Sequence, residues 1–396
     1  MDKMLEGIVV LDLTQNTDGP YSTMMLADMG AEVIKIEPPL IGDESRAYIP
    51  SVKGESGVFL NFNRNKKGIT LDIGVPVGRK IFLDLLKHAD IVYENFPTGT
   101  MERYGLGYEQ LKTVKPEIVY LALSCHGRTG PHAHREGCDG IAQAESGCMS
   151  ISGWPDSDPL RGTAPVGDAF CAMVAAVAAL AALNQSRITG QGQMIDIAQR
   201  DCLISSVEHI GQIYLHSGRV PGRIGNRYEN IYPYDSFRAR DGMIVIGAGN
   251  DKLFNLLVGV MRQEHLLKDD RFRTNADRKD NWVELKAIIE EWLKDYDAED
   301  IVKRIMDAGC PAAEVFTLEK VSKDKHFLGA REMFVTVEDP SVGAVRLVGN
   351  AIKASVTKID EFRPAPSLGR DNGDILKRYV GLSDESITQL RADGVI

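Results

Sequence analysis

The sequence predicts an α/β protein: a large domain with a mostly parallel sheet, followed by a smaller α+β domain. Three observations predict it. Short β-branched runs alternate with helical periodicity through the first part of the chain. A stretch rich in Gly, Arg and Tyr, from Ser217 to Tyr234, interrupts that alternation as a linker does. At 396 residues the chain is also long for one core.

Residues 7–13 form the first expected strand, and Asp18-Gly19-Pro20 turns the chain into a helix reaching Met29. Gly30 ends that helix, and residues 31–36 form a second strand. Residues 69–73 read as a third strand, 77–88 as an amphipathic helix, 91–93 as a fourth strand and 118–123 as a fifth. The charge-free run 169–183 is shorter than the ~20 residues of a bilayer span and rich in alanine, so a buried helix is expected. A strand at 194–197 and one long helix from 199 to about 216 close this part. Beyond the linker, strands at 235–239 and 244–246 flank the Asp241-Gly242 turn, and 282–292 is an amphipathic helix. Strand patterns return at 334–337 and 344–348, and a last helix is expected at 384–392. The expected division is therefore 1–216 for the Rossmann-like large domain, 217–234 for the linker, 235–310 for the small domain, and 311–396 for the return to the large one.

Composition is that of an ordinary globular protein, with 43% hydrophobic and 26% charged residues. A net charge of −10 argues against a nucleic acid or anionic membrane as the main partner. The six cysteines form no CxxC pair, which argues against a zinc knuckle or a disulfide framework and fits a reducing compartment. Residues 1–14 carry acids and a strand-like run in place of a basic, then apolar, leader. A soluble cytoplasmic protein is expected, with no metal site. No G-x-G-x-x-G opens the first helix and no Walker loop is present, so a nicotinamide or nucleotide triphosphate reading loses its main support.

In a parallel α/β sheet, ligands gather at the carboxyl ends of the strands. Three polar clusters fall there: Thr17-Asp18, Glu94-Asn95-Phe96, and the run from Ser124 onward. Asp168 stands out further along. It follows Gly167 and opens the long apolar run, so it sits at an expected helix N-terminus. Orphan N–H groups and the helix dipole there favour an ionised carboxylate by roughly 0.3–1 kcal/mol. Such a group is either a helix cap or a nucleophile.

Other segments add context. They are Ala31 to Glu37, Asn63 to Asp72, Glu94-Asn95-Phe96 with Arg103, Asp139 to Ala144 with Ser146-Gly147, Gly167-Asp168, and Pro366-Ser367-Leu368-Gly369. In this order and spacing the chain resembles the family III CoA-transferases, the group containing formyl-CoA, carnitine and bile-acid CoA-transferases. The resemblance runs from the first strand to the final helix.

It implies a nucleophilic role for Asp168, which would attack an acyl-CoA thioester to give a mixed anhydride and release CoA as thiolate. An acceptor carboxylate then displaces the acyl group, and a second thioester exchange delivers CoA to the acceptor acid. Carboxylates become effective nucleophiles when desolvated, oriented and faced by oxyanion donors. The positions implied for the CoA moiety are Thr17, Asp18, Leu71, Asp72, Ile73, Gly74, Asn95, Phe96, Pro97, Arg103, Arg135, Glu136, Gly137 and Cys138. Loop N–H groups would bond pantetheine and diphosphate oxygens, and Arg103 would pair with phosphate. Lys66 and Lys67 read equally as phosphate ligands or as a solvated pair. Tyr48, Cys138 and Asp139 are implied for the acyl pocket. Coenzyme A enters as co-substrate, no resident cofactor is implied, and the partners are an acyl-CoA, a small carboxylic acid and a second copy in an interlocked homodimer.

Some positions depart from the family. Pro38 follows Glu37 where several members carry a basic residue. Thr17 and Cys138 replace the glutamine and tyrosine of formyl-CoA transferase, so formyl and oxalyl transfer are not implied. The alternative is an α-methylacyl-CoA racemase-like isomerase. It needs a histidine in a Gly-His-Asp motif, where this chain has Gly137-Cys138-Asp139, leaving only a displaced partner among His126, His132 and His134.

Overall fold

The computed structural model describes residues 3–396; the first two positions of the expected leaderless N-terminus lie outside them. Two compact units emerge. One comprises residues 3–148, Arg161–Leu215 and Lys325–Ile396, and the other Met149–Leu160 with His216–Asp324.

The larger unit is built on six strands: β1 (Val9–Asp12), β2 (Glu32–Glu37), β3 (Lys67–Thr70), β4 (Ile91–Glu94), β5 (Val119–Ser124) and β6 (Met194–Ala198). All pair in parallel, in the order β3-β2-β1-β4-β5-β6. This is the doubly wound order, with its reversal between β1 and β4. The helices used below are α1 (Asp18–Asp28), α2 (Pro76–Leu86), α3 (Asp139–Glu145), α4 (Val166–Thr189), α5 (Gln199–Ser206) and α6 (Glu208–Ser217).

The period-2 alternation of strand side chains divides the core between the two faces of the sheet. Leu11, Ile34, Ile36 and Ile69 pack with Phe82 and Leu85 of α2 on one face. Val10, Val33, Leu121 and Leu123 pack with Leu26 of α1 and with Cys171, Ala175 and Ala179 of α4 on the other. Alanines on α4 thus let a long apolar helix lie close against the sheet.

Two expected elements differ. The third strand ends at Thr70 instead of Ile73, because the Asp72 carboxylate accepts the Gly74 N–H at 2.8 Å and turns the chain. The single long helix after β6 is two helices, separated at Val207, with Glu208 at φ +45°. The hydroxyls of Ser205 and Ser206 donate to the Cys202 and Leu203 carbonyls, competing with the helical ladder just before the break.

In the smaller unit, β7 (Tyr234–Arg238), β8 (Met243–Gly247) and β9 (Ala312–Glu314) form an antiparallel sheet in the order β9-β8-β7. Phe237, Ile244 and Ile246 bury against Phe254, Leu285 and Ile305 of its helices. In the larger unit, the hairpin Phe334–Asp339 with Gly343–Val348 and the last helix, Asp384–Ala392, lie where sequence periodicity places them.

Candidate active site

The reversal of strand order opens a crevice between the loops after β1 and β4, and Asn95 stitches those loops together. Its Oδ1 accepts the Gln15 N–H at 2.8 Å, while its Nδ2 donates to the Gln15 carbonyl at 2.7 Å and to Asp18 Oδ1 at 2.8 Å. Asp18 is buried at the start of α1, and also accepts the Gly19 N–H at 2.7 Å and Gln199 Nε2 at 3.1 Å. Burial raises its pKa, with the Asn95, Gly19 and Gln199 donors opposing.

Asp168 shares a cavity of about 390 Å³ with Thr17, Asp18, Tyr48, Cys138 and Asp139. Gln199 Nε2 donates to its Oδ1 at 2.7 Å, so one amide bridges Asp18 and Asp168. Asp139 sits at the N-terminus of α3 and accepts the Gly167 N–H at 2.8 Å and Gln143 Nε2 at 2.7 Å. A Cβ at Gly167 would lie 2.9 Å from Asp139 Oδ1 and 3.3 Å from Leu203 Cδ1. Glycine before Asp168 therefore admits a second carboxylate beside the backbone.

Two sequence expectations for Asp168 need correction. Pro165, not Asp168, is the N-cap of α4, and Asp168 lies in the first turn without a capping role. Nor is its carboxyl held fully ionised by the helix terminus. Burial, with the Asp18 and Asp139 carboxylates adding to it, pushes its pKa up to about 8 against the Gln199 hydrogen bond. Two nearby like charges and desolvation outweigh a dipole contribution of under about 1 kcal/mol.

A second cavity, of about 530 Å³, adjoins the first through Asn95, Ser124, Cys125 and Gly137. Phe96, Pro97, Arg103, Arg135 and Glu136 line it, which gathers these expected CoA positions in one place. Leu71, Asp72, Ile73 and Gly74 line a third cavity, of about 220 Å³, which meets the second at Phe96. Several backbone donors expected there for CoA are already committed. Leu71 N–H donates to the Glu37 carbonyl, Asp72 N–H to Val395, Gly74 N–H to Asp72 and Phe96 N–H to Glu94. Arg103 Nη2 donates to Thr100 Oγ1 at 2.9 Å, while Arg135 pairs with Glu145 at 2.6 Å.

Lys66 and Lys67 are neither a phosphate pair nor a solvated pair. Lys66 is fully buried, its Nζ bonded to Asp12 at 2.9 Å and to the Pro20 carbonyl at 3.0 Å. Lys67 pairs with Asp374 at 3.5 Å. At Glu37, where Pro38 removes the neighbouring cation, Arg46 makes the ion pair through two 2.7 Å hydrogen bonds.

A profile of the family described as CoA-transferase family III matches residues 5–372. The chain belongs to this family. It is 34% identical over 394 residues to the succinyl-CoA–D-citramalate CoA-transferase of Chloroflexus aurantiacus, covering 99% of this chain and 98% of that one. It is also 34% identical over 395 residues to human succinyl-CoA:glutarate CoA-transferase, covering 100% and 90% respectively. Its fold is similar to a crystal structure of a CAIB/BAIF family protein from Brucella suis, with TM-score 0.84 and 34% identity over 95% of this chain and 99% of that one.

In this CoA-transferase the three histidines weighed for an isomerase do not line the Asp168 cavity; His126 and His134 line the neighbouring one. His126, His132 and Glu145 bring ligand-type atoms within 4.8 Å of one another, the spacing of a metal site. Arg200 occupies their midst, with Nη1 3.0 Å from Nδ1 of each histidine and 3.2 Å from Glu145. A guanidinium fills the place that a cation would take. Tyr48 reaches the pocket rim and donates to Asn16 Oδ1 at 2.5 Å.

Gln199 and Arg161 are pocket residues that sequence reasoning missed. Gln199 begins α5 directly after β6, so the rule that ligands gather at the carboxyl ends of strands could have found it. Arg161 lies in an irregular segment with no local signal.

Proposed function

We propose that Asp168 transfers CoA from an acyl-CoA to a carboxylic acid by covalent catalysis. The Asp168 carboxylate attacks the thioester carbonyl carbon, the C–S bond breaks, and CoA leaves as thiolate, giving an acyl-aspartyl anhydride. The thiolate attacks the aspartyl carbonyl and expels the donor acid as carboxylate, leaving an aspartyl-CoA thioester. The acceptor runs these steps in reverse: its carboxylate attacks the aspartyl thioester, thiolate departs, and thiolate then takes the acceptor acyl group. Asp168 is regenerated as a carboxylate, with no net oxidation and no proton gained or lost. Coenzyme A is co-substrate, and the chemistry asks for no metal.

One observation carries this reading. Among the pocket carboxyls, Asp168 combines a pKa near 8 with a place in a cavity that adjoins the one holding Arg103. A basic carboxylate is a stronger nucleophile than an ordinary one, and the Gln199 bond orients it. The Arg103 cavity suits the phosphates of CoA and the Asp168 cavity the acyl end. The named substrates of the relatives extend this to short dicarboxylic acids such as succinate and glutarate.

We also propose a homodimer. Phe170, Met173, Val174 and Val177 form an exposed apolar stripe along α4, at a spacing a second copy can cover. Incubation with succinyl-CoA followed by hydroxylamine, with peptide mass analysis, tests the covalent step. The label is expected on Asp168 and absent from Asp168→Ala. A fully active Asp168→Ala variant would overturn the mechanism.

A further inference from the structure

Resting on that transferase reading, we propose that Arg161 is the specificity residue that binds the distal carboxylate of a dicarboxylic acyl chain. The Asp168 cavity is lined by three carboxyls, Asp18, Asp139 and Asp168, and by one cationic side chain among the described residues, Arg161. A dicarboxylyl group brings its own distal charge into this acidic pocket. Without Arg161 it meets three acids and no opposite charge there, whereas a monocarboxylic acyl group has no such need.

Arg161 is placed to supply the cation and loosely enough held to do so. Its Nη1 contacts Asp139 Oδ2 at 3.4 Å, and its side chain is 51% exposed. An ion pair this long and this exposed is weak. Asp139 does not depend on it, since Gly167 N–H and Gln143 Nε2 already bind its oxygens at 2.8 and 2.7 Å. The guanidinium can therefore turn to an incoming carboxylate without leaving Asp139 unsatisfied. Its planar fork matches a carboxylate bidentately, which a lysine ammonium does not.

The test compares succinyl-CoA with butyryl-CoA as donors to a common acceptor, in wild type, Arg161→Gln and Arg161→Lys. Wild type is expected to favour succinyl-CoA. Arg161→Gln should lower that preference about a hundredfold, mostly through KM, with partial recovery in Arg161→Lys. An unchanged preference in Arg161→Gln, or a wild-type preference for butyryl-CoA, overturns the proposal. Thermal-shift titration with free glutarate and butyrate separates this proposal from the transferase reading. Glutarate should stabilise wild type and lose that effect in Arg161→Gln. Equal effects in the two proteins would sink the role of Arg161 whatever the catalytic outcome, whereas an unlabelled Asp168 beside Arg161-dependent glutarate binding would sink only the transferase reading.

Discussion

Asp168→Asn should inactivate the enzyme and at the same time stabilise it, by an amount that grows with pH. The carboxyl titrates near 8 in the folded chain, against an ordinary 3.8, chiefly because of burial and next because of Asp18 and Asp139. Between those values the folded state holds a proton that the unfolded state has released. Stability is therefore lost as pH rises from about 4 to 8, and the loss is complete above 8. At about 1.36 kcal/mol per pH unit the ceiling is roughly 5–6 kcal/mol. Solvent screening in an open cavity reduces this to about 1–2 kcal/mol. Asparagine keeps the shape and can still accept from Gln199 Nε2, but never acquires the charge. Calorimetry of the ligand-free protein at pH 5, 6, 7 and 8 measures the difference. The variant's advantage should widen toward pH 8 and reach a few degrees in Tm for a chain of this size, at about 2 °C per kcal/mol. A difference flat in pH, or a wild type more stable than the variant at pH 8, would refute the claim that this carboxyl retains its proton. The same titration gives a kinetic sign: wild-type kcat/KM should rise with pH toward 8 as the nucleophile ionises.

Gly167→Ala should cost about 1–3 kcal/mol and depress turnover, because its Cβ would press on Asp139 Oδ1 at 2.9 Å, an atom already tied to the Gly167 N–H. Urea midpoints with initial rates check this, and a variant with wild-type values for both would show that the close approach is unimportant. Lys66→Met should destabilise by about 3–5 kcal/mol, since it removes the directly bonded counter-charge of a buried Asp12, whose pKa is lowered to about 2, against burial, by Lys66, Lys35 and the Thr14 and Thr23 hydrogen bonds. Urea denaturation at pH 7 reads this, and a loss below about 1 kcal/mol would contradict the buried-pair account.

Strands β1, β2, β4 and β5 were legible because each is a short, mostly apolar run buried on both faces, a signal that survives without tertiary information, whereas β3, Lys67-Gly68-Ile69-Thr70, lacks it and its end was misplaced. The crevice was legible for a topological reason. Polar residues directly after β1, β4 and β5 have no core role, and alternating β and α elements place them on one edge of the sheet. The charge state of Asp168 was not legible. It depends on Asp18 and Asp139 arriving from other elements, and the local sequence shows only the helix terminus, which pushes the other way. Lys66 was obscured for a similar reason: Lys66-Lys67 reads equally as phosphate ligands or as a solvated pair until Asp12 and the Pro20 carbonyl are seen to enclose the first of the two. The break at Val207 depends on serine back-bonding, which apolar periodicity does not register.

The distribution of hydrogen-bond donors sets Asp168 apart from the other two gathered carboxyls, in the direction that the proposed nucleophilic role requires. Asp18 receives Asn95, the Gly19 N–H and Gln199, while Asp139 receives the Gly167 N–H and Gln143. Each of these acids has a backbone N–H and at least one amide to stabilise negative charge, and the Asn95, Gln199 and Gly167 bonds also tie separate segments together. Asp168 receives one donor, and shares that amide with Asp18. Donors to the ionised form depress basicity, and neighbouring anions raise it. Asp168, buried beside two acidic neighbours and left with a single shared donor, is the group whose pKa rises to about 8. In the proposed mechanism the ionised form bears the repulsion of those neighbours and acylation relieves it, because an anhydride at Asp168 carries no charge. On that mechanism the ionised carboxylate is the destabilised ground state, and the cost of ionising it beside Asp18 and Asp139 is released at the first chemical step.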